Sequence, residues 1–209
     1  MAVTDYNPYK WLKKLNHTIL SAQCRIESEE TCLEDGCKKA AQIFSTSIES
    51  GASIWWVGNG GSAAICSHLS QDMLNKFGVR SFFLGDASLM TCMANDFGYE
   101  NVYLKPLEML VKPNDLLIAI SSSGNSENII RCAEMALERG MDLISLSGFK
   151  EENRLWNIKS NLSFFVPADL FGIVEVSHEA ILHGIIESLW LEKKGSLITA
   201  GAFSEECVD

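Results

Sequence analysis

Short apolar runs alternate with longer segments of helical periodicity along most of this chain. The runs are rich in Ile, Val, Leu, Phe and Trp and predict five buried strands, at 53–57, 81–84, 115–120, 142–146 and 162–166. Between them, apolar residues recur three or four positions apart, as in amphipathic helices. Since parallel strands need a crossover between them, this alternation favours a doubly wound five-stranded parallel sheet flanked by helices.

The same periodicity divides the chain into three parts. Residues 1–50 carry the apolar positions of two helices or of one broken helix, and residues 51–194 hold the α/β domain. The apolar stripe of an N-terminal helical arm finds no cover on a compact sheet domain, so we expect part of the arm to pack against another subunit. A short polar helix is predicted near 151–158. The last helix, from Val174, is predicted to end at Lys193-Lys194-Gly195, followed by a loosely held tail over 195–209.

A hydroxyl-rich turn follows the central predicted strand. It reads Ser121-Ser122-Ser123-Gly124-Asn125-Ser126, is called the serine loop below, and leads into a helix from Glu127. Free N–H groups and the positive dipole end at a helix start attract anions, and serine hydroxyls donate into the same space. One serine would suffice as an ordinary helix cap, whereas four favour a phosphate site.

A second loop of this kind precedes another helix. The glycine loop, Gly58-Asn59-Gly60-Gly61-Ser62, fits with Ala63 the loose dinucleotide pattern G-x-G-x-x-A, and Asp86 after the next strand fits a ribose-binding acid. A dinucleotide keeps its pyrophosphate on the first loop and does not require the serine loop. The sequence therefore favours a site without nucleotide.

Two histidines and two carboxylates have spacings that suit a shared site. His68 and Asp72 lie four residues apart on one predicted helix, and Glu175 lies just over two turns before His183 on another. Such a set suits a divalent metal such as zinc, although single residues of these types are usually ordinary helix-face or core residues. His17 and His178 are assigned to that ordinary class.

Composition narrows the function classes. The chain has 209 residues, 47% of them hydrophobic and 21% charged, and a formal net charge of −10, which argues against nucleic-acid binding as the main role. Seven cysteines, an odd number without a C-x-x-C pair, are expected to be buried free thiols. With no signal-peptide pattern and no long apolar run, we expect a cytoplasmic protein that does not cross a membrane.

Taken together, these motifs resemble those of the SIS (sugar isomerase) domain family, and specifically its phosphoheptose (sedoheptulose-7-phosphate) isomerases. The resemblance extends from the N-terminal helices to Lys194 and rests on the glycine loop, on Ala94-Asn95-Asp96-Phe97-Gly98, on Leu117–Ser126 and on the histidine that ends Glu175–His183. It implies an aldose–ketose isomerase that makes D-glycero-D-manno-heptose 7-phosphate from sedoheptulose 7-phosphate, for lipopolysaccharide or other surface glycans.

The resemblance also implies residue roles. Phosphate would bind Ser121, Ser122, Ser123 and Ser126; the sugar would bind Asn59, Gly60, Ser62 and Glu175, with Asn95 and Asp96 nearby. Asp72 and His183 would be the acid–base pair, and His68, Asp72, Glu175 and His183 would hold one zinc ion. The implied assembly is a homotetramer with active sites between subunits.

The chain departs from the family pattern at several of these positions. The family has Glu at Asp72, Gln at Glu175 and Arg at Lys76, and its Asp-Arg pair is here Gly172-Ile173. Two alternatives remain at this point. One is a non-catalytic SIS protein that binds a replication-initiation partner, and the other is a sugar-phosphate sensor or an isomerase for another substrate such as a hexose phosphate.

Overall fold

A computed structural model describes residues 7–199. Its strands are β1 Gln23–Ile26, β2 Glu29–Thr31, β3 Ile54–Gly58, β4 Ser81–Phe83, β5 Leu116–Ser121, β6 Asp142–Gly148 and β7 Leu162–Val166. Its α-helices are α1 Pro8–Leu20, α2 Leu33–Ser50, α3 Gly61–Phe77, α4 Ala87–Phe97, α5 Leu104–Leu110, α6 Glu127–Glu138 and α7 Phe171–Thr199. A short 3-10 helix, Tyr99–Asn101, precedes α5.

The strands form one sheet in the order β2-β1-β7-β6-β5-β3-β4. The five strands that the apolar runs predict, β3 to β7, are all parallel, which confirms the doubly wound fold class. From β3 the chain goes outward to β4 and then returns to the other side of β3 as β5. The topological switch point therefore lies between β3 and β5, where ligands bind in open α/β sheets.

Each face of the sheet has its own apolar core, because successive strand side chains point to opposite faces. Ile54 and Trp56 of β3 pack in the core formed with α2, α3 and α7, whereas Trp55 and Val57 pack in the core formed with α5 and α6. The helices after the two predicted loops, α3 and α6, thus lie on opposite faces. Helix α7 shares the face of α3.

The N-terminal segment contains a hairpin that periodicity does not predict. Strands β1 and β2 pair antiparallel, and β1 also pairs with β7, so two strands are added at one edge of the sheet. The segment is short and polar, and its turn uses Glu27 and Ser28 at positive φ of 51° and 81° rather than an Asn-Gly or Asp-Gly pair. Its turn chemistry therefore gives no hairpin signal.

The apolar stripe of α2 does find cover within this chain. Ala40, Ile43 and Phe44 are buried in the sheet core, so this part of the arm needs no second subunit. Helix α1 contacts α7 but leaves Tyr9, Leu12 and Leu20 exposed. Packing against another subunit stays a prediction for α1.

Two predictions for the C-terminal part of the chain are wrong, the helix near 151–158 and the bounds of the last helix. Residues 151–158 form turns instead of a helix. Helix α7 begins before Val174 and runs to Thr199, because a glycine such as Gly195 weakens a helix but does not end it. The first five residues of the predicted tail are thus helical, and the rest of it lies outside the described residues.

The cysteine prediction holds in part. The six cysteines among residues 7–199 are free thiols, and Cys24, Cys66 and Cys132 are buried. Cys32 and Cys92 are exposed, contrary to expectation; Cys32 lies at the N-cap of α2, where its sulfur accepts the amide N–H of Asp35. Cys207 falls beyond the described residues. No helix within 7–199 is both long enough and apolar enough to cross a membrane.

Candidate active site

The glycine loop and the serine loop lie side by side at the switch point. Gly58 at the end of β3 pairs with Ile120 of β5, one residue before the serine loop begins. The side chains of Asn59 and Asn128 donate to each other's oxygens at 2.9 Å and so join the glycine loop to the first turn of α6, which follows the serine loop. Tyr99 adds a third bond, from its hydroxyl to the side-chain oxygen of Asn59 at 3.1 Å.

The serine loop surrounds a small polar cavity of about 90 Å³. Its walls are Asn59, Ser62, Ser121, Ser122, Ser123, Ser126, Phe171 and Glu175. The loop turns through Gly124, which has a φ of +64° and donates its N–H to the carbonyl of Ser121. The Ser122 hydroxyl is buried and has no hydrogen-bond partner. A buried hydroxyl without a partner costs free energy, so this one is a candidate ligand group.

Glu175 lies at the other side of this cavity. Its carboxylate packs so closely on Gly61, in the first turn of α3, that a Cβ there would come within 2.5 Å of its oxygens. The free N–H groups at the start of α3 favour a negative charge at this point. Glu175 therefore lies with Asn59 and Ser62 at the wall of the serine-loop cavity, next to the start of α3.

The two histidines and Asp72 meet farther along α3 and α7. The Nε2 atoms of His68 and His183 are 3.1 Å apart, and Nδ1 of His183 lies 3.9 Å from Oδ2 of Asp72. Asp72 is buried, whereas His68 is exposed and faces the surface beside the pair. His68 and Asp72 thus lie on one face of α3, as their four-residue spacing predicts, and this face meets His183 of α7.

Asp72 has a cationic neighbour. Lys76 Nζ lies 3.1 Å from Oδ2 of Asp72 and also contacts the carboxylate of Glu187 on α7. Partial burial disfavours its charge, but hydrogen bonds to Glu187 and Asp72 outweigh this and hold the pKa of Lys76 above its usual value. Lys76 engages Oδ2 of Asp72, and the Oδ1 atom is left for other partners.

His68, Asp72 and His183 fit a metal ion with an open position. One ligand atom from each lies within 4.8 Å of the others. Two nitrogens bound to a tetrahedral zinc are about 3.3 Å apart at usual bond lengths, close to the 3.1 Å between the Nε2 atoms of His68 and His183. Three protein ligands with a fourth position free are typical of catalytic zinc sites. Glu175, the fourth predicted ligand, is not in this group, because it lies two turns away along α7, about 12 Å by helical rise.

The remaining predicted residues are placed as follows. Gly60 is the N-cap residue of α3 and has a φ of +55°, where a side chain would be strained. Asn95 and Asp96 bond to each other on α4, are exposed, and do not line the cavity. Asp86, the ribose-binding candidate, instead caps α4 through the N–H of Leu89.

The two histidines predicted to be ordinary helix-face or core residues, His17 and His178, occupy such positions. His17 is exposed on α1. His178 is fully buried, and its Nε2 donates to the carbonyl of Ser147 at 3.0 Å. Burial lowers the pKa of His178 to about 4, so the ring is neutral near pH 7. His178 therefore belongs to the packing of α7 on β6.

Sequence patterns missed several residues of the site. Lys76 and Glu187 continue the four-residue spacing of Asp72 and His183, so helical periodicity offered a signal for both. Phe171 lines the serine-loop cavity and also a larger neighbouring cavity of about 830 Å³, which includes Lys14, Phe149 and Asp169. Nothing in the spacing of Phe171 indicates that position.

Comparison with known proteins identifies related sequences. The SIS domain family model matches residues 19–148. Phosphoheptose isomerases from Shewanella denitrificans and Shewanella piezotolerans are each 32% identical over 177 residues, which is 81% of this chain and 89% of theirs.

Solved structures show the same fold. A phosphoheptose isomerase from Neisseria gonorrhoeae superposes with a TM-score of 0.75 at 24% identity, over 87% of this chain and 94% of that one. A phosphoheptose isomerase from Francisella tularensis superposes with a TM-score of 0.74 at 23% identity, over 90% of this chain and 98% of that one. Family model, identity and coverage agree, and the chain belongs to the SIS domain family, in its phosphoheptose isomerase group.

Proposed function

We propose that this protein is an aldose–ketose isomerase that converts sedoheptulose 7-phosphate to D-glycero-D-manno-heptose 7-phosphate. One observation carries the proposal: the polar cavity of the serine loop and the His68–Asp72–His183 group are built on the same two helices. Helix α3 supplies Ser62 to the cavity and His68 to the group, and α7 supplies Glu175 and His183. An anion site and an acid–base group thus share one rigid frame.

The phosphate of the substrate binds at the start of α6. This helix has twelve residues, and its free N–H groups and dipole attract an anion. The buried hydroxyl of Ser122 supplies a donor that has no other partner. Binding there orients the sugar and leaves the chemistry to other residues.

The spacing along the helices suits an extended sugar phosphate. Ser62 and His68 are six residues apart, about 9 Å of helical rise, and Glu175 and His183 are about 12 Å apart. These lengths are comparable with that of an extended sugar phosphate of six or seven carbons. With the phosphate at the serine loop, the far end of the sugar reaches the histidines, and Glu175 accepts hydrogen bonds from hydroxyls between them.

Asp72 and His183 carry the proton transfers. Isomerisation removes a proton from C1 of the ketose and returns one to C2, while a proton moves between the two oxygens. Oδ1 of Asp72, which Lys76 does not engage, takes and returns the carbon-bound proton. His183 moves the proton between the oxygens, since an imidazole ring can both donate and accept a proton.

The metal of this proposal is Zn²⁺, which His68, Asp72 and His183 would hold. Such an ion would supply polarisation of a substrate oxygen and stabilisation of negative charge on it. No nucleotide is required.

The experiment is turnover of sedoheptulose 7-phosphate by the purified protein, with Asp72→Ala and His183→Ala as test variants. Loss of a positioned acid or base is expected to lower kcat about 10²–10⁴-fold. His17→Ala, at an exposed histidine on α1, is the matched control and keeps wild-type activity. Normal turnover in either test variant would overturn the assigned roles.

We also propose a homotetramer with sites between subunits. Helix α4 has no buried residue, although it is apolar, and both its last residue, Phe97, and Phe82 of β4 are exposed. Covering this helix in an assembly brings Asn95 and Asp96 toward a neighbour's site. Light scattering in solution tests the assembly, and a monomeric mass would overturn it. A cytoplasmic location remains a prediction.

The same turnover experiment separates the other readings. A sensor binds the sugar phosphate without exchanging its carbon-bound protons, and a hexose phosphate isomerase turns over a shorter substrate in a panel. A non-catalytic SIS protein that binds a replication-initiation partner needs neither an acid nor a base. The convergence of His68, Asp72 and His183 therefore argues for catalysis.

A further inference from the structure

We propose that Asn153 and Arg154, in the connection between β6 and β7, are positioning residues that hold the serine loop in its phosphate-binding shape. The proposal rests on the phosphate site proposed above and extends it to a segment that contributes nothing to the cavity wall. This segment lies within 151–158, which periodicity predicts to be a helix and which instead forms turns. The contacts of this segment with the serine loop explain why it does not form a helix.

The connection bonds the serine loop at two successive residues. The N–H of Leu155 donates to the carbonyl of Gly124 at 2.9 Å, and the N–H of Arg154 donates to the side-chain oxygen of Asn125 at 3.1 Å. Both donors are main-chain groups that a helix would use within itself. The turn conformation therefore directs them at the serine loop.

Asn153 packs directly on the glycine of the loop. A Cβ at Gly124 would lie 1.9 Å from the side-chain oxygen of Asn153, far inside any allowed contact. Gly124 is thus required for a close approach as well as for its φ of +64°. The two segments fit as one unit, and neither can shift alone without opening a gap or a clash.

Asn153 itself is fixed by its own bonds. Its side chain is buried, donates to the carbonyl of Lys150 at 2.6 Å and accepts the N–H of Trp156 at 2.8 Å. Asn157 donates to its carbonyl at 2.8 Å. Buried side chains with all bonds made are rigid, so the surface that Asn153 offers to Gly124 is rigid as well.

Arg154 also acts on the charge beside the phosphate site. Its guanidinium pairs with Glu127, the first residue of α6, which Arg131 holds from the other side. Hydrogen bonds from Arg154 and Arg131 keep the pKa of Glu127 below its usual value. The carboxylate nearest the start of α6 is thus paired with cations, which reduces its repulsion of an incoming phosphate.

Positioning of this kind acts on binding. The loop must present its N–H groups and hydroxyls together, and a loop that samples other shapes pays for ordering when phosphate binds. The proton-transfer group on α3 and α7 is not touched by the connection. Loosening the loop is therefore expected to raise KM and leave kcat unchanged.

The test compares Asn125→Ala and Asn153→Ala with Asn161→Ala. Asn161 accepts a main-chain N–H, that of Leu143, at 2.8 Å from the opposite end of β6, so it loses the same kind of bond away from the site. Titration calorimetry with inorganic phosphate gives Kd, and turnover of sedoheptulose 7-phosphate gives KM and kcat. We expect Kd and KM to rise about fivefold in Asn125→Ala and about tenfold in Asn153→Ala, with kcat within twofold, and no change in Asn161→Ala.

The outcomes separate this inference from the proposed activity. Wild-type phosphate affinity in folded Asn125→Ala and Asn153→Ala, or equal weakening in Asn161→Ala, would overturn the positioning role, and so would a wild type that binds no phosphate. If Asn153→Ala does not fold, Asn125→Ala decides, because its side chain is exposed. A wild type that binds phosphate without isomerising the sugar would refute the activity, while the phosphate titrations still test the positioning role.

Discussion

Lys76 Nζ lies 3.1 Å from Oδ2 of Asp72, and the same ammonium group contacts Glu187 across the α3–α7 interface. One cation thus serves two carboxylates, one of them the proposed general base. Both Lys76 and Asp72 keep only a small exposed fraction of their side chains, 18% and 12%. Their attraction is therefore screened less than that of a surface pair.

Lys76→Met is expected to destabilise the protein by leaving Asp72 without its cation. Losing one partner of a fully buried pair costs about 3–5 kcal/mol, and we expect about 2 kcal/mol here because some exposure remains. Urea unfolding measures the change. Asp72→Asn combined with Lys76→Met is expected to recover most of it, since the carboxylate that then lacks its cation, Glu187, has a side chain that is 46% exposed to water.

The control for this cycle is Lys38→Met, which breaks the exposed pair with Glu34 at 2.6 Å. Little or no loss of stability is expected for it, because water and salt screen an exposed pair. Equal losses at Lys76 and Lys38, or no recovery in the double variant, would show that Asp72 does not depend on Lys76.

Zinc binding is expected to depend on His68. Removing one of three protein ligands from a site lowers affinity strongly, and we expect a drop of about 100-fold or more in His68→Ala. Calorimetric titration of the chelator-treated protein with Zn²⁺ gives the affinity. Glu175→Gln is expected to keep it, because its carboxylate lies at Gly61, away from the histidines. If Glu175→Gln lowered the affinity for Zn²⁺ more than His68→Ala, Glu175 would have to be counted as a metal ligand.

Ser122→Ala is expected to have opposite effects on binding and on stability. Its hydroxyl has no partner, so the apo protein should unfold at equal or higher urea concentration, whereas affinity for inorganic phosphate should fall about tenfold. Ser145→Ala is the contrasting control: its buried hydroxyl bonds to Ser163 and Ser160, so stability should fall about 1 kcal/mol with phosphate binding intact. Undiminished phosphate affinity in Ser122→Ala would contradict its role as a ligand.

Stability is expected to fall in mild acid because of His178. In the unfolded chain this ring takes a proton below about pH 6.5, but the folded protein holds its pKa at about 4. Between these values the unfolded state binds more protons, so stability drops as pH falls from 6.5 to 4, by up to about 3 kcal/mol, and this contribution changes no further below pH 4.

His178→Asn tests this, since asparagine can still donate to Ser147 but does not titrate. Urea unfolding at several pH values between 4 and 7 should show a shallower pH dependence for His178→Asn than for the wild type. His17→Asn, on the exposed face of α1, should follow the wild type. An identical dependence of stability on pH in the wild type and in His178→Asn would show that the buried ring does not control stability between pH 4 and 7.

The sequence was sufficient for the main frame of the molecule. Apolar runs such as 115–120 mark strands because a parallel strand is buried on both faces, and this requirement appears directly in residue type. The serine loop and the four-residue spacing of His68 and Asp72 are likewise local patterns, which a strand–turn–helix unit or a helix face turns into geometry without help from distant residues.

Tertiary structure decided what distant segments do to one another. Lys76 meets Glu187 and Asn153 meets Gly124 only after α3 packs on α7 and the β6–β7 connection packs on the serine loop. Glu175 has helical spacing to His183, yet spacing gives a direction and not a distance, and two turns of α7 separate it from the histidines. The hairpin of β1 and β2 forms because β7 offers an edge to pair with. The serine loop, by contrast, carries its own hydroxyls and helix start, so its chemistry could be predicted from local sequence, whereas the segment that holds its shape could not.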